Sequence, residues 1–360
     1  MSKEVENPFN EPTLLSAPVM RAAYSDRTAW LMSAMSELAY YRFEDTDVVS
    51  KLATELAAMS GVDAIAEKLE DILSGTVSNG DEATLQKILN FANFELIRTY
   101  NRGETQAFLA KRSHKSGKGM LVLAFRGTEM VRKDLFTDAD AVLVTLEGEE
   151  KVHRGFLKAF NHVRDAILTD LQTHTGIPLY ITGHSLGGAL AVLATRLVAS
   201  ESQGACYTFG GPRVGTAQVD DQIKTPIYRV INAADLVPRL PPSYSINILM
   251  TISKILHLAP VSSFLRRFKG YVHYGDMRYL THVEPTPDNY FPGLKLHSNP
   301  SFFLRIRWVI RRWIATSGKA AGSDHSISLY RNKLKSFAVD RRGIGKPVNL
   351  PEIEIEKETP

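Results

Sequence analysis

Cysteine is almost absent from this chain, which has one, Cys206, in 360 residues. Without a second thiol no internal disulfide can form. The flanking run Ala205 to Phe209 is apolar enough for a core strand, in which the thiol serves as a small buried hydrophobe. Such cysteine usage is expected of a protein folded in a reducing compartment. An opening apolar run is missing too. Residues 1–10 are polar and acidic, without the hydrophobic segment of a secretory signal, so a cytoplasmic or peripheral-membrane location is expected, with signal-independent export left open. No stretch is long and apolar enough to span a bilayer. The chain also lacks a His-Glu-x-x-His pair and a cysteine cluster, and Gly343-Ile-Gly345-Lys346 does not meet the spacing of a phosphate loop. No metal or organic cofactor is therefore expected. Nor is a nucleic-acid partner, because no recognition motif accompanies the basic residues.

What is present is ample material for a core: 44% hydrophobic residues against 23% charged. Residues 1–25 read as an irregular, proline-bearing lead. Three apolar stripes predict helices, one on Leu31, Met35 and Leu38, one on Val62, Ile65, Leu69 and Ile72, and one over 85–92. They make 26–92 a helical N-terminal region. Packing on the core is the favoured reading, since such stripes usually bury against their own domain, and partner binding is the other. Strands are expected over 95–100, 106–111, 120–125, 178–182, 205–209, 227–231 and 271–280. Their alternation with helices such as 156–171 predicts an α/β architecture over 93–340, a mostly parallel central sheet flanked by helices, before a polar tail at 341–360.

The most specific pattern is Ile181-Thr-Gly-His-Ser-Leu-Gly-Gly-Ala-Leu190, in which an apolar strand turns through Gly-x-Ser-x-Gly into an amphipathic helix expected over 186–200. A sharp strand-to-helix elbow strains the backbone of its central residue, and Gly183 and Gly187, flanking His184, Ser185 and Leu186, remove side chains that would collide. Ser185 would then stand at a helix N-terminus, where developing negative charge is favoured. A serine hydroxyl needs a base, and the base an orienting carboxylate. Asp235 follows the strand run 226–232 and precedes a proline-fixed loop. His325 opens the last helix. Ser185, Asp235, His325 is the chain order of α/β-hydrolases. Taken singly, Asp235 also suits a turn, His325 has nine competing histidines, and Asp324 suits a helix N-cap.

Six stretches, Val122 to Thr128, Val152 to Phe156, Ile181 to Leu190, Tyr207 to Gly215, Val230 to Pro241, and Asp324-His325 with Tyr330, resemble the class 3 lipase family in sequence and order. The resemblance implies an α/β-hydrolase fold, with Ser185 as nucleophile, His325 as general base and acid, and Asp235 as its orienter. It also implies an oxyanion hole from the residue after Arg126-Gly127, which is Thr128, and the backbone N–H of Leu186. The segment after Thr128 takes the family's lid position, and a fixed surface helix is an equal reading for it. The family suggests framework roles for His153 and His273.

Between Leu236 and Ser323 twelve Lys or Arg face three Asp or Glu, a surplus of +9 that leaves −5 for the remainder of the chain. Such asymmetry calls for an anionic partner. Ile246 to Phe268 is apolar and ends in Arg266-Arg267-Phe268-Lys269. In 302–314, Phe302, Ile306, Val309, Ile310 and Trp313 fall on one helical face and Arg305, Arg307, Arg311 and Arg312 on the other. That pattern gives two readings: an interfacial membrane helix contacting lipid through Arg305, Arg307, Trp308, Arg311, Arg312 and Trp313, or a docked helix with a solvated face. The functional expectation is hydrolysis of lipid carboxylic esters, phospholipid or acylglycerol, at a membrane surface. The rivals are an acyltransferase or thioesterase using the same triad, and a catalytically silent lipid-binding protein.

Overall fold

Apolar runs without a polar alternate need cover on both faces, and in β3 (Met120–Phe125) and β6 (Leu179–His184) every residue is buried. The computed structural model describes residues 7–15, 22–41, 80–103, 105–113, 119–127, 142–241, 268–315 and 323–342. The expected helix around 62–72, Thr128 with the segment that follows it, and most of the apolar run from Ile246 lie outside these residues.

The other strands are β1 (Glu95–Arg102), β2 (Thr105–Arg112), β4 (Leu143–Thr145), β5 (Lys151–His153), β7 (Cys206–Phe209), β8 (Ile227–Asn232), β9 (Asp276–Leu280) and β10 (Leu296–Ser298). Eight of them form one sheet in the order β1-β2-β3-β6-β7-β8-β9-β10, and β4 pairs with β5 apart from it. From β3 through β9 the neighbours are parallel, while β1, β2 and β10 are antiparallel additions at the edges. The helices are α1 (Asp26–Leu38), α2 (Gly80–Phe91), α3 (Arg154–Gln172), α4 (Leu186–Val198), α5 (Phe302–Ala315) and α6 (Ile327–Arg342). Alternate strand residues feed two cores, one on each face. Tyr180 and Tyr207 pack with Trp30 and Met35 of α1 and Leu334 of α6, whereas Leu121 and Ile181 pack with Phe160 of α3 and Leu193 of α4.

Helix α1 starts where Ser25 accepts the Thr28 N–H at 3.4 Å, with Asp26 in the first turn. Every residue from Thr28 to Ser36 is buried, so α1 is a core helix rather than an amphipathic one. Its hydroxyls find partners inside. Ser33 donates to the Trp30 carbonyl at 2.7 Å, and Ser36 meets the Thr182 hydroxyl of β6 at 2.8 Å, which in turn reaches the Tyr207 carbonyl at 2.9 Å. The lead is also partly ordered by burial, since Phe9 and Leu14 are sealed and Phe9 meets Trp30 edge-on at 6.5 Å.

One expected strand is shorter than its apolar pattern. The run 271–280 enters the sheet only at Asp276, because Gly275 turns at φ +69° where a Cβ would collide with the Ile227 carbonyl. Upstream of that turn Val272 bridges to Gly215 instead. The three-residue strands β4, β5 and β10 are too short to leave a periodic signal.

The sealed Trp30 gives a test of how integral α1 is to the fold. Trp30→Ala is expected to lower unfolding stability by about 3–5 kcal/mol in urea titration, the range for emptying a core aromatic site. A loss below about 1 kcal/mol would mean that α1 is a dispensable appendage.

Candidate active site

Strand β6 ends at His184 and α4 begins at Leu186, leaving Ser185 alone to make the turn. Its backbone sits at φ 59°, ψ −127°, a conformation costing on the order of 1–3 kcal/mol for a residue with a side chain. The surroundings impose it. The Ser185 N–H is held by the Phe209 carbonyl at 3.0 Å, and a Cβ on Gly183 or Gly187 would drive into the backbone of Gly187 or Phe125 respectively. As the first residue of α4, Leu186 carries an N–H without an acceptor inside the helix, next to the serine.

Past β8 the chain turns through Asn232, whose carbonyl accepts the Asp235 N–H at 2.8 Å. Asp235 is 1% exposed. Its Oδ1 accepts the Val237 N–H at 2.9 Å, and its Oδ2 accepts the Tyr330 hydroxyl of α6 at 2.6 Å. Burial and the Asp235 charge hold the Tyr330 proton in place by raising its pKa. His325 lies in the turn before α6, with Nδ1 2.9 Å from Asp235 Oδ2 and Nε2 2.9 Å from Ser185 Oγ. A carboxylate only accepts, so Nδ1 carries the proton and Nε2 is left to accept from the serine. The structure thus brings together three residues that stand 50 and 90 positions apart in pairs along the chain.

Asp324 is not the N-cap that its position before α6 suggests. Its Oδ2 accepts the Ala234 N–H at 3.0 Å and its carbonyl accepts from Asn232 Nδ2 at 2.9 Å, so the His325 turn is stitched to the Asp235 loop. Lys333 Nζ closes the seam, donating to Asn232 Oδ1 at 2.7 Å and to the Thr281 carbonyl at 3.0 Å. Burial lowers the Lys333 pKa to about 8.

His184 has more to do than fill a position in the elbow. Its Nε2 is 2.6 Å from the His325 carbonyl, and its Nδ1 is 2.7 Å from the Tyr40 hydroxyl. Burial pushes its pKa down to about 3, so the ring is neutral, with Nε2–H donating to His325 and Nδ1 accepting from Tyr40. Arg126 lies over the Tyr40 ring at 5.9 Å, and a Cβ on Gly127 would press on both Tyr40 and the His184 carbonyl. Sequence reading did not find Tyr40, Asn232 or Lys333, whose contacts cross long stretches of chain. The two framework histidines bond to backbone: His153 accepts the Phe156 N–H at 3.4 Å at the start of α3, and His273 meets the Pro238 carbonyl at 2.6 Å behind the Asp235 loop.

Helix α5 departs from the expected division into an apolar and a basic face. Trp308 packs on Ile231, Met277 and Tyr279, while Arg312 lies inward against Asp324 at 3.5 Å and Glu284 at 3.3 Å. Arg305 is half-buried beside Arg239, His273 and Tyr279. Carboxylates and a tryptophan-sized hollow therefore decide which side docks, and Phe302, Phe303, Ile310 and Ile314 are left exposed with Arg307 and Arg311. Among the described residues no three His, Cys, Asp or Glu side chains stand close enough to share a metal ion, and no helix is long and apolar enough to cross a membrane.

Comparison with known proteins finds similarity to lipases. The sequence model for Lipase (class 3) matches residues 122–245. The lipase of Rhizomucor miehei is 25% identical over 275 residues, 64% of this chain and 72% of that protein. Toxin TseL of Vibrio cholerae is 38% identical over 116 residues, 30% of this chain but only 18% of the toxin. Lipase II from Rhizopus niveus, a solved structure, aligns at a TM-score of 0.41 and 22% identity, covering 69% of this chain and 85% of that one. The family match begins in β3 and runs through the elbow and the Asp235 loop, and over that stretch the chain is similar to the class 3 lipases.

Proposed function

We propose that the protein hydrolyses carboxylic esters of lipids at a membrane surface, with Ser185 as nucleophile, His325 as general base and acid, and Asp235 as the group that orients the imidazole. The observation that carries this reading is the hydrogen-bonded chain from Ser185 Oγ through His325 to buried Asp235, with both links at 2.9 Å. Ser185 Oγ attacks the ester carbonyl carbon as its proton passes to His325 Nε2. The resulting oxyanion is stabilised by the Leu186 N–H at the α4 N-terminus and by Thr128. The carbon–oxygen bond to the alcohol then breaks, the alcohol leaves with the proton from Nε2, and water repeats the cycle on the acyl-serine to release the fatty acid. Asp235, held by the Tyr330 hydroxyl and the Val237 N–H, orients the imidazole and stabilises the imidazolium as it forms.

Among head groups, phospholipid is favoured over neutral glyceride because the +9 surplus between Leu236 and Ser323 suits a phosphate-bearing surface. Relatives whose names specify triacylglycerol or mono- and diacylglycerol lipases support acylglycerol as the second substrate class. A screen of defined phospholipids and glycerides with product analysis separates the two. Hydrolysis of glycerides alone would remove phospholipid from the reading.

A fluorophosphonate probe is expected to label Ser185, and Ser185→Ala to abolish labelling and lower ester turnover by several powers of ten while the circular dichroism spectrum stays that of the parent. His325→Ala should be comparably inactive, whereas His273→Ala should lose stability rather than turnover. Retention of full turnover by Ser185→Ala would end the serine-hydrolase reading.

The neutral His184 predicts an acid dependence of stability. The native ring binds its proton only near pH 3, while an unfolded histidine does so near 6.5. Between those values the unfolded chain holds more protons, so stability falls as pH drops below about 6.5. In urea titrations between pH 6 and pH 4.5, His184→Gln is expected to show a shallower decline, by up to about 1.4 kcal/mol per pH unit. Parallel slopes would show that His184 is protonated in the native state.

A further inference from the structure

We propose that the outward face of α5 is the surface through which this protein docks on an anionic lipid bilayer. The proposal rests on the lipid-ester reading above and names the partner of that same site. Phe303 is 82% exposed, Ile314 68% and Ile310 51%. At about 100° per residue these three fall within roughly 40° of one another on the helix, forming one stripe. Arg307 and Arg311 are exposed and lie along one border of that stripe. Four arginines and no carboxylate occur in Phe302–Ala315. Two of them turn toward the protein. Arg312 pairs with Asp324 and Glu284, and Arg305 is half-buried beside Tyr279, leaving Arg307 and Arg311 on the outer side.

Large apolar side chains in water are costly unless something covers them, and positive charges beside them select the cover. Acyl chains accept the Phe and Ile side chains, while arginine stems extend along the apolar layer and bring their guanidinium groups to anionic head groups. The position of the helix supports the same partner. Trp308 fixes α5 to Ile231 and Tyr279 beside the Asp235 loop, and Arg312 reaches Asp324, the residue before His325. A bilayer seated on α5 would therefore lie next to the His325 side of the site, where an ester must arrive.

The test uses the full chain carrying Ser185→Ala, so that vesicles survive, in co-sedimentation with phosphatidylcholine vesicles and with vesicles containing phosphatidylserine. Binding is expected to favour the anionic vesicles and to weaken with salt. Arg307→Gln with Arg311→Gln should reduce partitioning about thirtyfold, at roughly 1 kcal/mol per arginine. Phe303→Ser with Ile314→Ser should reduce it on both vesicle types. With Ser185 intact, all four substitutions should leave hydrolysis of a short water-soluble ester unchanged. Soluble-ester turnover missing from the parent would defeat the hydrolase reading while vesicle binding still reported on α5. Undiminished anionic-vesicle binding by the double arginine variant overturns the proposal. So does a lipid-free dimer, seen by analytical ultracentrifugation, that Phe303→Ser and Ile314→Ser dissociate, since the cover would then be a second copy of this chain.

Discussion

The backbone of Ser185 has to be held at φ 59°, ψ −127° by its neighbours, because nothing in the residue itself favours that conformation. Strand β6 can do this because it is clamped between β3 and β7, with the Phe209 carbonyl gripping the Ser185 N–H. On the other side α4 lies so close to β6 and β3 that glycine is needed at 183 and 187. Release either constraint and the residue relaxes, carrying Oγ away from His325. The strain is therefore held by the central parallel strands, and the core that packs them, from Trp30 on one face to Leu193 on the other, helps fix where Ser185 stands.

A rigid serine is of use only if its partners keep their distance from it, and they lie on loops. Asp235 follows β8 and His325 precedes α6, so their separation is set by side-chain contacts rather than by a ladder of strand bonds. Asp324 to Ala234, Asn232 to Asp324, Lys333 to Asn232 and Tyr330 to Asp235 make four such ties, each burying polar groups that must stay paired. From the other side neutral His184 holds the His325 carbonyl and is itself held by Tyr40, which follows α1. Tyr40, just past the N-terminal helix, is thus linked to the His325 backbone through two hydrogen bonds.

What the sequence made legible was local. The elbow, the apolar strands and the chain order of Ser185, Asp235 and His325 depend on neighbours within a few residues, and each stretch carries its own turn chemistry. Contacts between distant parts of the chain left no such mark: nothing near Tyr40 points to His184, and nothing near Lys333 points to Asn232. The apolar pattern over 271–280 is longer than the strand, and only the Ile227 carbonyl opposite Gly275 shows why the chain must turn there. In α5 the period gave the helix but not its docked side. An arginine beside a buried carboxylate is an inward residue, and Asp324 comes next to Arg312 only after folding.

Cys206 has one more consequence. Its thiol is fully buried in β7, and burial pushes its pKa up to about 12, so almost no thiolate exists at neutral pH and no oxidant has easy access. The covalent structure of this chain is consequently the same in glutathione-rich and in oxidising surroundings. Passage between two such environments would require neither the formation of a crosslink nor its removal, and exposure to peroxide on the way would find no reactive sulfur on this cysteine.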